Sequence, residues 1–137
     1  GFNCLHFPDA YRLRLLRREL VREPARQECV QEAARLLIAL GRTAYAAGRP
    51  DLARKFLKEA LAVWTRHSPD GDCPPDLALQ VASSHLGLCV LARDADEETR
   101  HLVGAVRVLG RAPGGSTRSQ RLWAVAREAL GQLGGSG

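Results

Sequence analysis

The sequence predicts an all-α fold of about six helices, arranged as antiparallel helical hairpins. Three observations carry this expectation. Apolar residues recur at helical spacing in successive segments, no segment alternates with period two for long, and short stretches rich in Gly, Pro and Asp separate them. Helices joined by such short connections must lie antiparallel beside their neighbours.

The first helix is expected over residues 9–22, opening at Pro8-Asp9. At 100° per residue, Leu13, Leu16 and Leu20 gather on one side, with Arg14, Arg17, Arg18 and Arg22 nearly opposite. Glu23-Pro24 interrupts it, because the residue before a proline is pushed out of the α region. A long helix then runs over 24–47, with Pro24 tolerated in its first turn. Val30, Ala33, Leu37, Leu40 and Ala44 keep its helical spacing, while Leu36 and Ile38 widen the stripe.

Gly48 ends that helix as a left-handed C′ residue, and Pro50 starts the next. Leu52, Phe56, Leu57, Ala60, Leu61 and Trp64 carry this third helix. After the turn-forming stretch 65–76, a fourth helix is expected over 76–92. Asp94 with Glu97 three residues later is an aspartate form of the capping box. It opens a fifth helix that buries Leu102, Val103, Val106 and Leu109. Thr117 with Gln120 opens a sixth, driven by Leu122, Trp123, Val125, Ala126, Ala129 and Leu130.

Gly41 stands inside the second helix, where glycine costs about 1 kcal/mol against alanine. The reversal at Gly48-Arg49 lays two helices side by side, and the closest interaxial distances require small residues at the contact. Gly41 opposite Ala53 and Ala60 supplies that gap, so the glycine reads as a packing device. Leucine at 41 should be costly, and alanine should be tolerated.

The same residues resemble the tetratricopeptide repeat, a 34-residue helix–turn–helix with the pattern W-x2-L-G-x2-Y…A-x3-F…P. Residues 34–67 supply Leu37-x2-Leu40-Gly41, Gly48 at the turn, Ala53-x3-Leu57, and Ala60-Leu61. Leu37 replaces the tryptophan, Tyr45 and Phe56 are each displaced by one position, and Thr65 stands where the proline is usual. A fainter second copy has Leu86-Gly87 and Ala105, with Ser83, Val90 and Asp94 at positions where the family has aromatics and the turn glycine. The resemblance implies a short right-handed solenoid. It would comprise a single domain over 1–133, with 9–22 as a packing helix, 24–67 and 76–110 as repeats, 117–133 as a closing helix, and 134–137 as linker or tag remnant.

It also implies a concave groove that takes a peptide or helix of a partner protein. Carried across by position, the groove is lined by Arg35, Ile38, Arg42 and Tyr45 from one repeat and Val81, Ser84, His85 and Leu88 from the other. Such a surface suits an acidic and hydrophobic segment, since arginine forks carboxylates and tyrosine offers rigid area. Arg42 and His85 stand where chaperone-tail binders of the family carry asparagines, so that ligand is disfavoured.

The remaining constellations point away from catalysis. The sequence has no Gly-rich phosphate loop, no G-x-S-x-G and no H-E-x-x-H. Ser83, Ser84 and His85 are adjacent on a helix and point apart. His85 and Cys89, four apart, have no further metal ligands at recognisable spacing. The expectation is a protein without enzymatic activity, cofactor or metal.

The 137 residues carry a net charge of +5, from eighteen arginines and two lysines against 15 acidic residues. Arg14, Arg17, Arg18 and Arg22 could grip phosphates, but no aromatic interleaves them, and a solvated face is favoured over nucleic acid or membrane. Self-association or a scaffold role in a larger protein is the alternative to peptide binding. The four cysteines, at 4, 29, 73 and 89, form no framework and read as reduced thiols of a cytoplasmic or nuclear protein. The absence of methionine and the terminal Gly-Gly-Ser-Gly read as marks of a segment from a longer chain.

Overall fold

The computed structural model describes residues 7–22, 26–67, 74–111 and 117–136, and in them six helices and no strand. These are α1 (Phe7–Leu20), α2 (Gln27–Ala46), α3 (Pro50–His67), α4 (Pro75–Val90), α5 (Ala95–Arg111) and α6 (Thr117–Ser136). The chain divides into two compact units, Gly1–Asp72 and Cys73–Gly137, where the sequence led to the expectation of one domain. The division falls in the turn-forming stretch 65–76.

In the first unit, α1 starts and stops two residues earlier than its periodicity predicts. Val21 and Arg22 form a turn, and the Arg22 N–H donates to the Glu19 carbonyl at 3.2 Å. Leu13, Leu16 and Leu20 are buried as their spacing requires. α2 begins at Gln27, after Arg26 in extended backbone at φ −70, ψ 135. Pro24, expected in the first turn, lies outside the described residues. Val30, Ala33, Leu37, Leu40 and Ala44 are all buried. Fully burying Val30, Leu37 or Leu40 contributes about 1.5–3 kcal/mol each, which sets the orientation of the helix.

The end of α2 is a Schellman motif. Gly48 has φ 74, its N–H donates to the Tyr45 carbonyl at 3.0 Å, and the Arg49 N–H donates to the Ala44 carbonyl at 2.9 Å. Pro50 follows as the first residue of α3, and the Arg49 carbonyl accepts from the Ala53 N–H at 3.0 Å. The reversal is therefore sharp. At the far end of the pair, the Gln27 side-chain amide donates to the His67 carbonyl at 3.0 Å, so α2 and α3 run antiparallel along their whole length.

Gly41 sits at the close approach opposite Ala53 as expected, but the nearest side chain there is Leu57 and not Ala60. A Cβ at Gly41 would lie 2.8 Å from Leu57 Cδ2 and 3.5 Å from the Ala53 carbonyl oxygen. The glycine is a hole that receives a leucine knob. Alanine at 41 therefore meets bulk, contrary to the sequence-based expectation.

In the second unit, α4 packs on α5 and α5 on α6. The Asp94 carboxylate accepts from the Glu97 N–H at 2.8 Å, capping α5 as the sequence predicts. The return arm of the box shifts by one residue, because the Glu97 carboxylate accepts from the N–H of Arg93 at 3.3 Å. Ala82, Leu102, Ala105, Leu109 and Ala126 form the buried centre of this unit. Val103 and Val106 are only half-buried, and Val125, assigned to the core from sequence, is exposed. α6 continues through 134–136, the stretch read from sequence as a linker.

Candidate partner-binding surfaces

The α2 stripe is the first surface to consider. Arg42 and Tyr45 are exposed near the C-terminal end of α2, and Arg35 is half-exposed two turns before Arg42. Residues three apart on a helix are surface neighbours, so Arg42 and Tyr45 form one contiguous patch. Tyr45 keeps 56% of its surface open and so presents an apolar ring with a polar tip to solvent.

Ile38 does not share in that patch, since only 1% of it is accessible. It stands next to Leu37 at the edge of the buried arc, and the interior takes it. On α4, Val81, Ser84 and Leu88 are likewise buried. The sequence of α4 is apolar around most of its circumference, so burial extends past one stripe. Ser84 satisfies its hydroxyl within the helix by donating to the Gln80 carbonyl at 2.9 Å. Of the eight groove positions, these four offer no surface to a docked peptide.

His85 is engaged inside the second unit. Its Nδ1 lies 3.3 Å from Nδ1 of His101 on α5, and the two rings are tilted by 46° with centroids 5.6 Å apart. A hydrogen bond between two such nitrogens needs one as N–H donor and the other as bare acceptor, so it suits neutral imidazoles. Burial, and secondarily the neighbouring His101, lowers the His85 pKa to about 4. Nε2 of His101 stands 4.0 Å from the buried Glu97 carboxylate one turn before it. Gly104 makes room for the His85 ring, a notch that the repeat pattern did not single out.

The His85–Cys89 spacing leads elsewhere than to a metal. The Cys89 thiol donates to the Glu98 carbonyl at 3.4 Å, and burial followed by the charge of Glu98 pushes its pKa up to about 11. Among the described residues, no three His, Cys, Asp or Glu side chains are grouped to hold a metal ion. Cys29 is a buried free thiol, while Cys4 and Cys73 lie outside the described residues.

The basic face of α1 is less uniform than its sequence implies. Arg17 grips Glu59 of α3 in a fork, Nε at 2.8 Å and Nη2 at 2.5 Å. Arg12 pairs with Glu32 of α2, and Arg22 lies 3.6 Å from Glu19. Arg14 and Arg18 make no ion pair among the described residues. They border an open depression of about 490 Å³ lined by Ala10, Leu13, Arg14, Arg17, Arg18 and Val21. Tyr11, exposed one turn before Arg14, is an aromatic that the sequence reading left out. Its signal was available, because it falls on the same helical face at i−3.

Among the described residues, no helix is long and apolar enough to cross a membrane. Compared with protein-family models, curated proteins and solved structures, the chain matches none.

Proposed function

We propose that the chain is a non-catalytic protein-interaction module whose hairpins follow the tetratricopeptide pattern and form a short right-handed solenoid. It binds an acidic and apolar segment of a partner protein. The observation that carries this reading is the exposed pair Arg42 and Tyr45 on one edge of α2. A guanidinium takes a carboxylate in a fork while the adjacent ring covers an apolar side chain, the combination enriched where binding energy concentrates. Arg35, further along the same edge, extends the contact. The free thiols of Cys29 and Cys89 are consistent with a reducing compartment, cytoplasm or nucleus.

The test is fluorescence anisotropy against a panel of short peptides combining glutamate or aspartate with leucine or phenylalanine. Arg42→Glu combined with Tyr45→Ala should weaken the best binder by about tenfold or more, equivalent to about 1.4 kcal/mol. The circular dichroism melt should stay nearly unchanged, since neither side chain is buried. Equal affinity in the variant removes Arg42 and Tyr45 from the binding surface. Light scattering of the free chain decides the self-association alternative directly.

A further inference from the structure

We propose that the open depression beside α1 is a second docking site, for an acidic amphipathic segment of a partner protein. It is separate from the α2 edge and does not depend on the reading given to that edge.

The arginines along α1 are partly engaged within the fold. Arg12, Arg17 and Arg22 each meet a carboxylate of the fold: Glu32, Glu59 and Glu19. The first two contacts join α1 to α2 and α3, and the third is local to the end of α1. Arg14 and Arg18 are one turn apart, exposed, and without an ion pair among the described residues. Three of five neighbouring arginines are engaged within the fold, and among the described residues this pair meets no carboxylate. Two guanidinium forks one turn apart match carboxylates spaced four residues apart on a facing helix.

Charge alone would fit any polyanion, and the depression between the two arginines narrows the choice. Its lining runs along α1 alone, with Ala10 and the 79% exposed Val21 offering apolar surface beside the arginines and Leu13 buried beneath. Exposed apolar surface flanked by arginine complements an apolar side chain flanked by carboxylates. A sugar–phosphate backbone has nothing to place on it. Two arginines would also give nucleic acid only about two counterion-releasing contacts, too few for useful affinity at physiological salt. The Arg17–Glu59 fork holds the Arg17 guanidinium against α3, so the charge left to face a ligand is that of Arg14 and Arg18.

The experiment uses the whole chain and a helical peptide carrying glutamates four apart with leucine between them. A version with glutamine for glutamate serves as control. We expect the glutamate peptide to bind, the control to bind at least about tenfold more weakly, and the difference to shrink between ~50 and ~200 mM salt. Arg14→Glu with Arg18→Glu should abolish binding, and the milder Arg14→Gln with Arg18→Gln should weaken it while retaining the fold, as judged by circular dichroism. Arg42→Glu with Tyr45→Ala should leave this binding unchanged, which separates the site from the α2 edge. The proposal is overturned if the peptide fails to bind or if the glutamine pair binds it as the wild type does. It is equally overturned if phosphatidylserine vesicles or a single-stranded oligonucleotide bind through Arg14 and Arg18 and the peptide does not.

Discussion

His85 occupies the space that a side chain on Gly104 would need: a Cβ there would lie 2.4 Å from Cε1 and 2.7 Å from both ring nitrogens. The imidazole thus rests against α5 backbone, with His101 at hydrogen-bonding distance. Gly104→Ala should therefore destabilise the second unit by about 1–3 kcal/mol, the usual penalty of overpacking, despite better helix propensity. Gly131→Ala is the matched control, because nothing lies within 4 Å of its Cβ and the helix gains up to about 1 kcal/mol. Hydrogen exchange of α4 and α5 amides reads the effect on this unit apart from the first. Equal responses to the two substitutions would dismiss the notch.

The same burial makes the second unit sensitive to acid. His85 is held neutral in the folded chain down to about pH 4, whereas an unfolded imidazole takes a proton near 6.5. Above that value neither state is protonated and nothing is lost. As pH falls from 6.5 towards 4 the unfolded state gains protons first, so stability drops by about 3 kcal/mol in total. The groups facing His85 are His101, with Glu97 beyond it, and Cys89 on its own helix. His85→Gln should flatten the decline between pH 7 and 4.5 relative to wild type, as followed by hydrogen exchange. Parallel pH profiles for the two proteins would remove His85 as the cause.

Gly41 makes a quantitative prediction about a pair. Alanine at 41 would place its Cβ 2.8 Å from Leu57 Cδ2 and 2.9 Å from Cγ. Relieving this displaces more than a methyl tip, so the clash should outweigh the propensity gain and cost about 1 kcal/mol net. With Leu57→Ala, itself costing about 2–5 kcal/mol, the hole is empty and Gly41→Ala should become neutral or favourable. The double-mutant cycle should return a coupling of about 1–2 kcal/mol. Stabilisation by Gly41→Ala alone would show that the helices do not meet at this point.

These two glycines show what the sequence does and does not reveal. Gly41 was legible as a packing device because its cost inside a strong helical pattern demanded a return, and Gly48 because a left-handed C′ residue before a proline has few other readings. Which residue fills the hole was not legible, since the rotation of α3 about its axis decides between Ala53, Leu57 and Ala60. Gly104 escaped notice because its partner is a histidine, a residue that pattern reasoning places at surfaces or sites more readily than in a core. The candidate groove suffered from the same gap. Helical spacing puts Ile38 and Leu88 on a stripe, but only packing determines whether a stripe faces water. The charges on α1 were visible at once, yet which arginines are engaged depends on Glu32 and Glu59, distant in sequence.

Cys89 offers the last test, of the packing between α4 and α5. Its thiol donates to the Glu98 carbonyl, and its pKa of about 11 follows from burial and then from the Glu98 charge. The thiolate is the reactive species, so at pH 8 each unit of upward shift removes about nine-tenths of it. A rise from 9.0 to about 11 should slow alkylation by about 100-fold through ionisation alone, before access is counted. Iodoacetamide labelling in the native state and in urea, followed by peptide mass spectrometry, gives the ratio directly. Gly104→Ala should raise the native rate, since displacing the His85 ring loosens the helix pair one turn from the sulfur. Native labelling as fast as in urea would mean that the helices part too often for the His85–Gly104 contact to hold them.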